Sequence, residues 1–175
     1  DELPRFGVDA GIGRHLPDAG VYAESWQLVD RGADQSVVAA GPLAGATLGS
    51  LVREHGRELL GRHALRGAFP LLFKFLDACQ DLSVQVHPDD ARAAELTPPD
   101  LGKTEAWYVV DAAPGSRIYA GLREGVGREA FAAALRAGRC GEVIHSFTVT
   151  AGDCVFIPAG TVHAPQEFLL ERVAL

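Results

Sequence analysis

The chain has 175 residues, 47% hydrophobic and 22% charged, with 16 Lys and Arg against 23 Asp and Glu for a formal net charge of −7. That length fits a single domain over 1–175 whose core needs no covalent staples, and the acidic balance excludes a broad nucleic-acid partner, which requires a basic face. No run approaches the roughly 18 apolar residues of a membrane span, and no secretory leader is visible at Asp1.

Residues 1–20, rich in Gly, Pro and Asp, read as an irregular amino-terminal segment. A strand is expected over Tyr22 to Val29, where Trp26 and Leu28 alternate with Ser25 and Gln27, and a second over Ser36 to Ala40; both are expected to pair in a barrel wall. Apolar positions at Leu48, Leu51, Val52, Leu59 and Leu60 predict a helix from Thr47 to Leu60, capped by Gly61. His55 and His63, in or just after it, read as surface side chains. The nearly continuous apolar run Phe69 to Ala78 predicts a strand covered on both sides, handed on by a turn at Asp77 to Asp81. Asp89 to Leu96 predicts a short helix that Pro98-Pro99 stops. A strand through Val109-Val110, a turn at Pro114-Gly115 and a separate strand from Arg117 to Ala120 follow, then a helix over Arg128 to Ala137 ended by Gly138. Ser146 to Val149 and Cys154 to Ile157 read as a hairpin around Ala151-Gly152-Asp153. Short alternating strands with Gly and Pro turns favour an all-β sandwich or barrel.

Three stretches carry chemistry. In Asp81 to Asp90, DLSVQVHPDD, strand alternation makes Leu82, Val84 and Val86 one apolar row and puts Ser83, Gln85 and His87 on the opposite face. A glutamine carbonyl and an imidazole two residues apart can grip one cation; alone, the pattern favours a half-solvated antiparallel strand. In Gly102 to Tyr108, GKTEAWY, the same alternation groups Lys103, Glu105 and Trp107. The run Gly152 to His163 places a turn, a short apolar strand, Pro158-Ala159-Gly160 and then a histidine, which a tight Pro-Gly turn would aim back into a barrel mouth. It follows the second cupin motif without mismatch.

The chain resembles the class I mannose-6-phosphate isomerases, zinc-dependent cupins, through Glu24-Ser25-Trp26, the run Phe69 to Ala78, LSVQVHP, GKTEAWY and PAGTVHA. The resemblance implies a cupin jelly-roll barrel with short inserted helices and one Zn2+ held by Gln85, His87, Glu105 and His163. It also implies that Ser83 and Lys103 face a sugar phosphate. Catalytic candidates are Lys103, with Glu171 near the family's late acidic position and Arg172 as a replacement for a lost cation, in a carboxyl end that is abbreviated beside the family. The implied reaction interconverts mannose 6-phosphate and fructose 6-phosphate through an enediolate. The alternative is a metal-binding cupin that takes a sugar phosphate as a sensor or accessory module. A third reading, an Fe(II) oxygenase on two His and one carboxylate, is opposed by Gln85 as a fourth donor and by the GKTE segment. Nitrogen and oxygen donors would also accept other divalent metals. Two neutral imidazoles, one amide and one carboxylate leave a bound divalent ion with a formal surplus of about +1, suited to a small anion. Three cysteines, Cys79, Cys140 and Cys154, without zinc-finger spacing suit a reducing cytoplasm; Cys154 reads as a small buried hydrophobe. A monomer or homodimer is expected.

Overall fold

A computed structural model describes residues 24–77 and 83–174, with side chains described outside 64–66, 77 and 165–174. In chain order the strands are β1 (Glu24–Leu28), β2 (Asp30–Arg31), β3 (Asp34–Gln35), β4 (Leu72–Asp77), β5 (Glu105–Leu122), β6 (Ile144–Thr148), β7 (Cys154–Ile157) and β8 (His163–Ala174). The α-helices are α1 (Leu48–Leu60), α2 (Asp90–Ala93) and α3 (Arg128–Arg136). The fold is therefore mostly strands with few helices. One antiparallel sheet runs β1-β4-β8-β5-β6, with β7 also on β5, while β2 and β3 form a separate small hairpin. Among the described residues this sheet runs open from β1 to β6, with no pairing that closes it.

β5 organises the rest. Along one side it pairs with β8 at both ends of its length; along the other it pairs first with β7, over Glu105 to Tyr108, and then with β6, over Arg117 to Leu122. The expected turn at Pro114-Gly115 does not reverse the chain. It interrupts the ladder between Ala112 and Arg117 within a single 18-residue strand, with Gly115 at φ +90°. Proline lacks the ladder donor and glycine accepts the positive φ, so the pair makes an irregularity in one strand where two strands were expected. The expected hairpin of Ser146 to Val149 with Cys154 to Ile157 is likewise corrected. The two strands bond to different halves of β5, and the turn between them is tied to β5 by Val109 N to Asp153 O and Gly152 N to Val109 O.

Alternation along β5 buries Glu105, Trp107 and Val109 and exposes Tyr108 and Val110. Trp107, Val109, Ile118, Leu76, Val149 and Ile157 form the core cluster. β4 contributes Lys74 and Leu76 to the fully buried face, while Phe73 and Phe75 are only half-buried, so it is not covered equally on both sides as the sequence suggested. Because Ile157 must face this core, the opposite parity of β7 turns Cys154 and Phe156 outward; Cys154 is exposed, contrary to the expectation of burial.

The helix at Thr47 to Leu60 forms as read, the Thr47 hydroxyl accepting from Ser50 N at 3.1 Å, and α3 ends before Gly138 at φ +67°. Of Asp89 to Leu96, only Asp90–Ala93 is helical, capped by the Asp89 carboxylate. Ser36 to Ala40 is not a strand. It meets Thr47 through one bridge at Val37, and the loop folds on itself through Val38 N to Ala46 O and Gly45 N to Val38 O, with Gly41 and Gly45 both at φ +88°. Residues 83–87 are also no continuous strand: a single bridge joins Gln85 to His163, and Val84 and Val86 are exposed, so the anticipated apolar row is not buried. Leu82, Ala78, Cys79 and most of the turn at 77–81 lie outside the described residues, as do residues 1–23. No helix among the described residues is long and apolar enough to cross a membrane.

Truncating the core at Ile118, which is fully buried, should cost far more than removing the Thr47 cap. Denaturant unfolding of Ile118→Ala is expected to lose about 2–5 kcal/mol and Thr47→Ala about 0.5–2 kcal/mol. Equal losses would contradict a core centred on β5.

Candidate metal centre

The site is assembled from four positions that the backbone locks together. Gln85 N donates to His163 O and His163 N to Gln85 O, both at 2.8 Å, so the start of β8 and the 83–87 segment run side by side. The Pro158-Ala159-Gly160 turn, closed by Thr161 N to Pro158 O with Gly160 at φ +84°, donates from Gly160 N to His87 O at 2.7 Å. Lys103 N donates to Pro88 O. Gly102 lies so close to the backbone of Asp89 and Asp90 that an added Cβ would stand 2.4 Å from Asp90 N. The three motifs thus meet through main-chain contacts before any side chain is considered.

Their side chains converge on the Glu105 carboxylate, which is fully buried. Oε1 faces His87 Nε2 at 3.5 Å and the Lys103 ammonium at 2.7 Å, and Oε2 faces His163 Nε2 at 3.3 Å while accepting from Trp107 Nε1 at 3.1 Å. Lys103 Nζ also stands 3.2 Å from His87 Nε2. Donor atoms of His87, Glu105 and His163 all lie within 4.8 Å of one another.

The chemistry of this set calls for a cation. His163 Nδ1 is 2.8 Å from the Thr161 carbonyl, which can only accept, so Nδ1 carries a proton and Nε2 is the ring nitrogen turned inward. That nitrogen is 1% exposed at the residue level and has no hydrogen-bond partner among the described residues. It faces the Glu105 carboxylate, and a positive ion placed between the two would be a ligand partner for both. Donors held at about 2.0–2.1 Å from one tetrahedral ion stand roughly 3.3–3.4 Å apart, close to the two imidazole–carboxylate separations of 3.5 and 3.3 Å. The residues therefore fit a divalent metal.

The other expected site residues fall as follows. Gln85 is half-buried next to the group, and its amide nitrogen donates to Ser83 Oγ at 3.2 Å, which does not use its carbonyl oxygen. Ser83 is exposed. Glu171 and Arg172 lie on β8, where the register sets Glu171 opposite Phe75 and Tyr108, and Arg172 opposite Lys74 and Trp107; their side chains lie outside the described residues. His55 and His63 take no part in the group. Two residues were missed. Trp107 was placed on the right face but given no role. Lys74, buried and paired with Glu24 Oε1 at 2.6 Å, is the lone cation of the apolar run Phe69 to Ala78, which was the available signal. Beside the group, His87 and Lys103 form one wall of a cleft of about 220 Å³ whose other walls include Phe69, Leu101 and the Arg31–Asp100 ion pair.

The profile of the type I phosphomannose isomerase catalytic domain matches residues 8–109, more than half of the chain. Mannose-6-phosphate isomerase ManA of Bacillus subtilis is 42% identical over 142 residues, covering 81% of this chain and 44% of that protein. The mannose-6-phosphate isomerase of Streptococcus mutans is 42% identical over 141 residues, covering 81% and 43%. The crystal structure of the B. subtilis mannose 6-phosphate isomerase superposes with a TM-score of 0.83 at 32% identity, over 93% of this chain and 51% of that one. The chain spans about half the length of these relatives.

Removing one donor should cost more metal affinity than the 10–100-fold typical of an outer partner. His163→Ala and His87→Ala are expected to lose at least about 100-fold in Zn2+ affinity by chelator competition, with His55→Ala unchanged. Equal binding by all three would place the metal elsewhere.

Proposed function

Because the chain belongs to the type I phosphomannose isomerase family, we propose that it is the metal-binding part of an isomerase interconverting mannose 6-phosphate and fructose 6-phosphate. The observation that carries the reading is the buried Glu105 carboxylate set between two imidazoles, with a lysine ammonium on the oxygen that faces His87. Gln85, His87, Glu105 and His163 would hold Zn2+, and the ion would supply a Lewis acid that draws negative charge onto the substrate's carbonyl and hydroxyl oxygens. No redox cofactor is required, since the reaction moves one proton from C2 to C1 and a second from the C2 hydroxyl to the C1 oxygen, with no net change of oxidation state.

The chain's own residues do the remainder. Trp107 and the Thr161 carbonyl hold Glu105 and His163 in place. Lys103 brings a compact positive charge to the edge of the cleft it shares with His87, where it would meet the anionic substrate and hold a proton at Nζ, and Ser83 would donate to the phosphate. Arg172, which the register sets opposite Lys74 and Trp107, joins the proposed catalytic set, and Glu171 is included from the family resemblance alone, since its register partners are Phe75 and Tyr108. We assign the strands to a single cupin jelly-roll domain, supported by the apolar core to which β4, β5, β6 and β7 contribute and by the superposition on the B. subtilis enzyme. A cytoplasmic enzyme, as monomer or homodimer, fits the family. The sensor alternative is disfavoured because both curated relatives described above are named as isomerases.

A coupled assay on the zinc-loaded protein is the test. Turnover of mannose 6-phosphate that chelation abolishes and Zn2+ restores is expected, and binding of the sugar phosphate without turnover would favour the sensor. Lys103→Ala should raise the Michaelis constant by one to two orders of magnitude, about 1.4–2.8 kcal/mol, with metal content unchanged. If the wild type binds mannose and mannose 6-phosphate alike, Lys103 has no phosphate role.

A further inference from the structure

We propose that Trp107 is a positioning residue of the metal centre: a single buried indole orients both Glu105 and His163, presenting Oε2 and Nε2 to one divalent ion. The inference rests on the metal reading above and adds to it a residue that touches neither the ion nor the substrate.

Trp107 is fully buried, and its indole has one polar group, a donor. A buried indole N–H normally finds an acceptor. Here the acceptor is Glu105 Oε2, at 3.1 Å, two residues back on the same face of β5. The oxygen that accepts this bond is also the one that faces His163 Nε2, at 3.3 Å. The same indole meets the His163 imidazole edge-on, with ring centroids 5.5 Å apart and planes at 82°. That imidazole is held from its other nitrogen by the Thr161 carbonyl. One side chain therefore restrains two of the three clustered donors, by a hydrogen bond in one case and by ring packing in the other.

The indole is itself immobilised. It belongs to the cluster of Leu76, Val109, Ile118, Val149 and Ile157, so its orientation is set by the core and passed to the site. A core role alone would require shape and apolar surface but no donor. The N–H, aimed at a carboxylate of the metal group, is the feature that packing does not explain. Outer-shell donors of this kind fix the orientation of a ligating carboxylate, and their loss typically costs 10–100-fold in metal affinity.

The test separates the donor from the ring. Zn2+ affinity by chelator competition and the absorption spectrum of the Co2+-substituted protein are compared for wild type, Trp107→Phe and Trp107→3-benzothienylalanine, the last replacing only N–H by sulfur. Heat unfolding of the metal-free proteins is followed in parallel. Both substitutions are expected to weaken Zn2+ binding by about 10- to 100-fold and to shift the Co2+ bands, while the benzothienyl protein still unfolds cooperatively. Should Trp107→Phe fail to fold, the isosteric substitution decides alone. If the wild type binds Zn2+ and the benzothienyl protein matches it in affinity and spectrum, the positioning role is overturned and the metal centre stands. If the wild type itself binds no Zn2+, the metal reading fails and the role assigned to Trp107 falls with it.

Discussion

Everything in this structure that bears on chemistry depends on one carboxylate kept out of water. Burying an ionised carboxylate costs several kcal/mol unless opposite charge and hydrogen bonds compensate. Glu105 gains both, from the Lys103 ammonium on Oε1 and the Trp107 N–H on Oε2. Two imidazole nitrogens approach the same carboxylate, one at each oxygen. A divalent ion among them would meet three donor groups at once, so the burial and the donor geometry suit the same species.

The fold explains how such a group is held without strain. Glu105 opens β5, the strand that receives β7 and β6 on one side and β8 on the other. His163 opens β8, and His87 is delivered by a segment that bridges to β8 at Gln85 and reaches the Pro-Ala-Gly turn through Gly160. Each donor thus stands at or near the end of an element, where the core beneath fixes the backbone and the side chain still reaches a cleft. Trp107 is the joint between the two, with its ring in the core and its N–H in the site. Rigid support of this kind matters because ligand atoms must be placed within fractions of an ångström.

Much of the centre was legible in the sequence, for identifiable reasons. Strand parity put Lys103, Glu105 and Trp107 on one face because alternation is a local property, and the Gly and Pro spacing before His163 marks a turn that needs no tertiary help. The helix at Thr47 to Leu60 carried both its period and its cap. What escaped depended on partners far away in the chain. Pro114-Gly115 looks like a chain reversal until β8 is present on both sides of it. Ser146 to Val149 and Cys154 to Ile157 look like a hairpin until each finds its own half of β5. Cys154 was read as buried because its residue type favours burial, whereas the parity set by Ile157 turned it outward. A lone lysine in an apolar run, Lys74, reveals its burial only once the pairing of β1 with β4 brings the Glu24 carboxylate within reach of its ammonium. The roles of Glu171 and Arg172 were a matter of resemblance from the start, and the register of β8 adds only their strand neighbours.

X-ray absorption spectroscopy of the zinc-loaded protein tests the central claim most directly. A first shell of nitrogen and oxygen alone at about 2.0–2.1 Å, with the outer-shell scattering of two imidazoles, is the result this account predicts. A sulfur scatterer at about 2.3 Å, or a first shell without imidazole, would place the ion away from His87, Glu105 and His163 and contradict it.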